Sequence, residues 1–384
     1  MTDAQNCFIE LIKNVVLDTA LPEDFKVCDL LELYKLSKKQ DMAHIVAYGL
    51  KKNNLIDLDS DLWIKCYKKQ YSLAQFRVTN LQYEYENVCK VLEEAEIDYI
   101  PLKGAVIRPL YPEPWMRVSC DIDILVQKED LRKAEQILAD TLKYEVETDG
   151  YLHGHDDHIK TPNGFIIELH FTLAERITPA TPYLNNVWNR VKISEGTKHQ
   201  YKMDDEMFYF YHITHLAKHF RDGGCGVKSI LDTYFINTKL KLDSTNCSDL
   251  IEKSNLLKFT TVIEHIVQDW FSGNFIYENE YMINYIFTGG VYGSTNVIAA
   301  KQTKNEGKRL KYYIQRAFPP YDFMCERYCS LRGKPLLLPY YWLKRIVTAF
   351  GKKDGKRTKH EIKTAWLEKE KSKEIKKMFD ELGL

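Results

Sequence analysis

The 384-residue chain has no apolar run long enough to cross a membrane, which needs about 18–20 residues. Its start, Met1 to Glu10, lacks the basic patch and apolar stretch of a secretory leader, so no signal peptide is expected. The nine cysteines, at 7, 28, 66, 89, 120, 225, 247, 325 and 329, are odd in number and show no CxxC spacing. That argues against a disulfide framework and a zinc ribbon, and Cys325 and Cys329, one helical turn apart, are expected to be packing residues. Net charge is missing too. The 54 Lys and Arg balance the 54 Asp and Glu, so no global field favours nucleic acid or a membrane surface. There is no internal repeat and no low-complexity linker. A reducing cytoplasm is the expected compartment.

What remains is an ordinary globular composition, 45% hydrophobic and 28% charged, with 25 Tyr that suggest thick helical packing. The length suits two or three domains. Residues 1–95 read as a helical region: Phe8, Leu11, Ile12, Val15 and Val16 recur at helical spacing, as do Leu30, Leu33 and Tyr34, and Leu81–Glu94 is amphipathic. Residues 96–178 read as a small α/β core. It holds a β-rich run at Ile97–Leu102, a short helix near Ala105–Arg108, an apolar strand at Cys120–Val126 and a helix within Lys128–Leu142. Two strands follow, Tyr151–Lys160 and Phe165–Phe171, joined by the turn Thr161-Pro162-Asn163-Gly164. Residues 179–345 read as mostly helical, most clearly at Met207–Phe220 and Leu250–Phe271. Residues 346–384 form a charged helical tail, expected to be a solvated face. The apolar segment Pro335–Trp342 is expected to pack on the core. The expected fold class is therefore α+β, a small mixed-sheet core between N-terminal and C-terminal helical regions.

Asp121-Ile122-Asp123 carries the most chemistry. On a strand, residues two apart point to one face, so both carboxylates sit side by side. They repel unless a cation lies between them or one takes a proton. Hard divalent ions bind such oxygens together with substrate phosphates. Glu168 likewise interrupts an apolar strand, with His170 on the same face. Lys103-Gly104 stands at a strand–helix junction, where a glycine lets the backbone approach a ligand. Arg117, four residues before Asp121, can hold phosphate or simply pair with an acid. On the helix that follows, His212, His215 and His219 share a face. His215 and His219 have zinc-ligand spacing, but no glutamate follows the first histidine as a metalloprotease requires.

In this order, Leu102-Lys103-Gly104, Arg117, Asp121-Ile122-Asp123-Ile124-Leu125-Val126 and Glu168-Leu169-His170 resemble the DNA polymerase β-like nucleotidyltransferase superfamily, and within it a bacterial "uncharacterised nucleotidyltransferase" family. His215 to His219 followed by Asp232 resembles that family's helical segment. The resemblance runs from roughly 80 to 345 and is specific over about 102–170. Ala105 departs from the superfamily's Gly or Ser, and the spacer from Gly104 to Asp121 is longer than usual.

The resemblance implies a metal-dependent nucleotidyltransferase with Asp121, Asp123 and Glu168 as catalytic residues and metal ligands. The resemblance implies a two-metal mechanism, with two Mg²⁺ ions (Mn²⁺ as the second choice) held by Asp121 and Asp123 and Glu168 completing the ion nearer the acceptor. A hydroxyl acceptor (small molecule, sugar, peptide or RNA) would attack the α-phosphorus of an NTP and release pyrophosphate. Lys103, Gly104, Arg117, His170, Lys218 and His219 are the implied substrate contacts. Two other readings differ in kind: a catalytically silent nucleotide-binding module, and a metal phosphohydrolase suggested by His155-Asp156-Asp157-His158. The second needs ligands on several helices, whereas this cluster reads as a strand, with Asp156 and His158 on one face.

Overall fold

The computed structural model describes residues 1–146, 156–174, 178–222, 224–273, 279–289, 334–351 and 377–384, with isolated positions between 318 and 331. His155, Cys325 and Cys329, and most of the charged tail, lie outside the described residues.

Apolar alternation builds the sheet. β1 (Tyr99–Pro101), β2 (Asp121–Val126), β3 (Glu145–Val146), β4 (Asp156–Lys160) and β5 (Ile166–His170) stand in the order β1-β2-β5-β4-β3. Only β2 and β5 run parallel; the other neighbours are antiparallel, so the sheet is mixed. Ile122, Ile124, Val126, Ile167 and Leu169 face one way. They pack on Leu81, Val88 and Leu92 of α4 (Lys68–Glu94) and on Leu131, Ala134 and Leu138 of α6 (Leu131–Leu142). The odd-numbered residues of β2 are thereby turned to the opposite face. The β4–β5 hairpin closes at Thr161–Gly164, where Gly164 takes φ +82° and its N–H bonds the Thr161 carbonyl.

Helices from both ends of the described chain share a second core. α1 (Asp3–Val16) starts on a capping box between Thr2 and Gln5, and α2 (Leu30–Lys39) on an Asp29 cap. With α3 (Ala43–Lys52) they pack against α7 (Thr181–Asn185), α8 (Asp205–Asp222), α9 (Val227–Lys239), α11 (Leu257–Val267) and α12 (Glu280–Gly289). The Phe8 and Phe287 rings meet at 6.1 Å. Fully buried Gln40 donates to the Phe287 carbonyl and accepts from the Val227 N–H, each at 2.9 Å.

Three expectations need correction. Leu250–Phe271 is not one helix: α10 (Ser244–Lys253) ends before Asn255, which takes φ +56°, a left-handed turn that breaks the helical path before α11. The region after 179 also holds a two-stranded ribbon, β6 (Val191–Ile193) and β7 (Tyr201–Met203), too short to show a period in the sequence. Pro335–Trp342 does not sink into the core. Leu336 is 93% exposed, and only Tyr341 is buried, against Met324 and Leu331.

One buried ion pair ties the helical part to the segment leading into β2. Arg117 donates to both carboxylate oxygens of Asp232 on α9, at 3.3 and 3.0 Å, and the Tyr111 hydroxyl adds a third bond at 2.7 Å. Burial alone would raise the Asp232 carboxyl, but the Arg117 charge holds it below its ordinary value. Removing one member of such a pair leaves a buried charge unmatched, so Asp232→Asn should cost about 3–5 kcal/mol in urea unfolding at pH 7. A carboxyl lowered by folding stabilises above its unfolded value, about 3.9, and loses that contribution as pH falls through the folded value. The gap between wild type and variant should therefore narrow in acid.

Candidate active site

β1 runs directly into the site. The Leu102 N–H bonds the Asp123 carbonyl at 3.0 Å, extending the β1–β2 ladder by one rung and pinning the next residue over the acidic face. Lys103 takes φ +38° and opens α5 (Lys103–Ile107). At five residues, α5 is too short to act as a phosphate-binding helix end. Gly104 instead makes room for side chains: a Cβ there would stand 3.0 Å from Arg117 Nη1 and 3.2 Å from Ser119 Oγ. Arg108, buried just behind, donates to the Arg117 carbonyl and to Ser119 Oγ.

Register brings the acids together. Asp123 pairs with Glu168 across the parallel strands, and Leu125 pairs with His170. Asp123 is 2% exposed. Its Oδ1 lies 2.7 Å from Lys103 Nζ and 3.2 Å from His170 Nε2. The same two cationic or donor groups reach Glu168 Oε2 at 3.7 and 3.5 Å. Burial alone would push the Asp123 carboxyl up; Lys103 and His170 hold it well below the usual range. Among the described residues no cation or imidazole pairs directly with Asp121, and Lys103 and Arg117 act on it only as nearby charges. Burial and the charges of Asp123 and Glu168 push its carboxyl up to about 6. His170 is raised despite burial, because Asp123 and Glu168 favour its charged form.

β4 completes the acidic wall. His158 Nε2 lies 3.4 Å from Asp156 Oδ2 and 4.0 Å from Glu168 Oε1, while Asp157 turns to the other face and meets Arg132 of α6 at 3.0 Å. Among the described residues, two clusters have ligand atoms within 4.8 Å of one another: Asp123, Glu168 and His170, and Asp156, His158 and Glu168. Asp121 belongs to neither, though it lines the same cavity. Oxygen-rich clusters with one imidazole suit a divalent ion such as Mg²⁺ or Mn²⁺. The Asp121 carboxyl is raised first by burial and then by the charges of Asp123 and Glu168, and a divalent ion would relieve the second cause.

Opposite the sheet, α8 and α9 close a cavity of about 440 Å³. Lys103, Gly104, Arg117, Asp121, Asp123, Glu168, Lys218 and His219 all line it; His170 sits behind Asp123 and Glu168. His212 bonds Thr233 Oγ1 at 2.8 Å, and the Nε2 atoms of His215 and His219 stand 2.8 Å apart, so one ring donates to the other. Burial pushes all three imidazoles down, His212 to about 4 and His219 to about 3, and Lys103 adds to the effect on His215. All three are neutral at pH 7. Lys218 is lowered by burial and by the Lys103 charge.

Arg117 is committed to Asp232. The sequence did not single out Lys228, Asp41 or Ser119, which also line the cavity. Lys228 bonds Asp41 at 3.2 Å and the Val118 carbonyl at 2.9 Å. No local pattern marks these residues, since each partner lies more than a hundred positions away or on another element.

No helix among the described residues is long and apolar enough to cross a membrane. The solution structure of the antibiotic-resistance factor ANT(2'')-Ia aligns with a TM-score of 0.35 at 12% identity, over 50% of this chain and 98% of that one. The crystal structure of an antigenic nucleotidyltransferase-like protein from Paracoccidioides brasiliensis aligns with a TM-score of 0.28 at 15% identity, over 50% and 92%. Neither likeness is close enough to bear on function, and no curated protein matches the chain. The sequence profile described as "Uncharacterised nucleotidyltransferase" matches residues 28–272, a span that holds the whole acidic wall and the α8–α9 wall facing it, and the chain belongs to that family.

Proposed function

We propose that this nucleotidyltransferase moves a nucleoside monophosphate from an NTP to a hydroxyl acceptor, with residues 96–178 as the core that carries the chemistry. The acceptor oxygen attacks the α-phosphorus. The bond from that phosphorus to the β-bridging oxygen breaks, and pyrophosphate leaves. Asp121, Asp123 and Glu168 would hold Mg²⁺ or Mn²⁺, which when bound neutralises phosphoryl oxygens and makes the acceptor hydroxyl more acidic. Glu168, more exposed than Asp123, takes the hydroxyl proton or passes it to solvent. His170 orients Glu168 through their 3.5 Å approach. Lys103 and Lys218 contact phosphate oxygens. Arg117 and Gly104 shape the turn beneath them, and neutral His219 donates a hydrogen bond without adding charge.

The observation that carries this reading is the charge of the cavity. Six carboxylates line it (Asp41, Asp121, Asp123, Asp156, Glu168, Asp232) against four basic side chains (Lys103, Arg117, Lys218, Lys228). These ten groups sum to a formal charge of minus two, and His212, His215 and His219, held neutral by burial, do not offset it. A polyanion such as a triphosphate enters that space only together with divalent cations, which is the pairing that nucleotidyl transfer uses.

Asp121→Asn and Asp123→Asn should each lower pyrophosphate release by at least about a thousandfold while circular dichroism stays unchanged. Turnover within tenfold of wild type in either variant would sink the assignment. Glu168→Gln should lower kcat far more than it raises the Kd for NTP. Lys218→Ala should do the reverse, weakening NTP binding about tenfold with a smaller effect on kcat. Incubation with each α-labelled NTP, Mg²⁺ and cell extract identifies the acceptor by the molecule that gains label. Release of inorganic phosphate without labelled acceptor would favour hydrolysis instead.

A further inference from the structure

Lys103 holds a backbone conformation that costs a side-chain-bearing residue, and the reason lies in where its ammonium goes. At φ +38° it is in the left-handed region, where glycine would sit without penalty. A glycine stands one position later, at 104, and is used there for close packing against Arg117 and Ser119. Backbone shape alone would thus be better served by glycine at 103. What the lysine adds is an ammonium 2.7 Å from Asp123 Oδ1 and 3.7 Å from Glu168 Oε2. These are two of the three residues whose ligand atoms cluster within 4.8 Å. An ion bound by both carboxylates through those oxygens would meet the ammonium at short range, and like charges there repel strongly because little water intervenes.

We infer that Lys103 is an internal counter-ion that competes with the divalent cation for Asp123 and Glu168, and that moves to substrate phosphate when the cation enters. The inference rests on the divalent reading of the acidic wall. The Leu102 N–H to Asp123 carbonyl bond keeps the lysine backbone fixed, so the change is a side-chain movement and not a loop opening. Lys103 is then a positioning residue in the resting protein and a phosphate contact in the loaded one. Cation and NTP each loosen the ammonium from the acids, or capture it once loose, so each should bind more tightly in the presence of the other.

The test is Mn²⁺ binding to the full chain without nucleotide, read from the free-ion electron paramagnetic resonance signal at one pH. Lys103→Met and Lys103→Gly should each bind Mn²⁺ on the order of tenfold more tightly than wild type, and Mn²⁺ should raise their melting temperature more. Adding Asp123→Asn to either should abolish the gain. Equal or weaker binding in both variants, with wild type still binding Mn²⁺, overturns the competition while leaving the divalent site intact. No Mn²⁺ binding by any of the proteins removes the divalent reading and this inference with it. If Lys103→Met fails to fold alone, folding on Mn²⁺ but not on Na⁺ of equal ionic strength upholds the competition, and no rescue by Mn²⁺ overturns it.

Discussion

Negative charge held away from water is the constraint around which this molecule is arranged. Asp123 lies on a strand covered by α4 and α6 on one side and faced by α8 on the other, at 2% exposure. An ionised carboxylate in that place is costly unless it is paired and hydrogen-bonded. The pairing comes from Lys103 and His170, which approach the same oxygen from two elements. Each requirement propagates outward. Lys103 reaches Asp123 only because Leu102 is bonded to the Asp123 carbonyl, and the turn fits only because Gly104 has no Cβ to strike Arg117.

The helical wall answers the same constraint differently. α8 presents three imidazoles to the cavity, and burial keeps all of them neutral. They supply hydrogen bonds without cancelling the acids. Two fixed cations tie α9 to its surroundings: Arg117, on the segment leading into β2, pairs with Asp232, and Lys228 pairs with Asp41 and the Val118 carbonyl. Those pairs therefore set the distance between the wall and the sheet, and the acids on the sheet keep an unbalanced charge.

The acidic strand, its partner and the turn between β4 and β5 were legible because each depends on a few neighbouring residues. Alternation places Asp121 with Asp123 and Glu168 with His170, and Asn163-Gly164 marks a turn whatever surrounds it. The break at Asn255 was not legible, since Leu250–Phe271 keeps an apolar helical rhythm through one left-handed residue. Nor was the fate of Arg117. Its partner lies 115 residues away on α9, and nothing in its local sequence distinguishes a phosphate contact from a structural pair. Pro335–Trp342 misled for a related reason: apolar composition marks a preference for burial but does not say whether the fold provides a surface to bury against.

The distribution of cations bears on how a polyanion could be accommodated. Arg117 meets Asp232 at two points deep in the fold, with Tyr111 bonded to the same carboxylate. Withdrawing it would strand a buried acid and loosen α9. Lys228 is held by Asp41 and by a backbone carbonyl, so moving it breaks two bonds. Lys103 differs from both. Its carboxylate partners are the groups that a divalent ion would satisfy equally well, so its departure leaves no stranded charge once the ion is present. Among these three pairs, only the one at Asp123 can be exchanged without a net loss of charge compensation. Under the proposed function, binding of the anion and binding of the cation would converge on one ammonium, and that exchange would give the backbone strain at position 103 its physical reason.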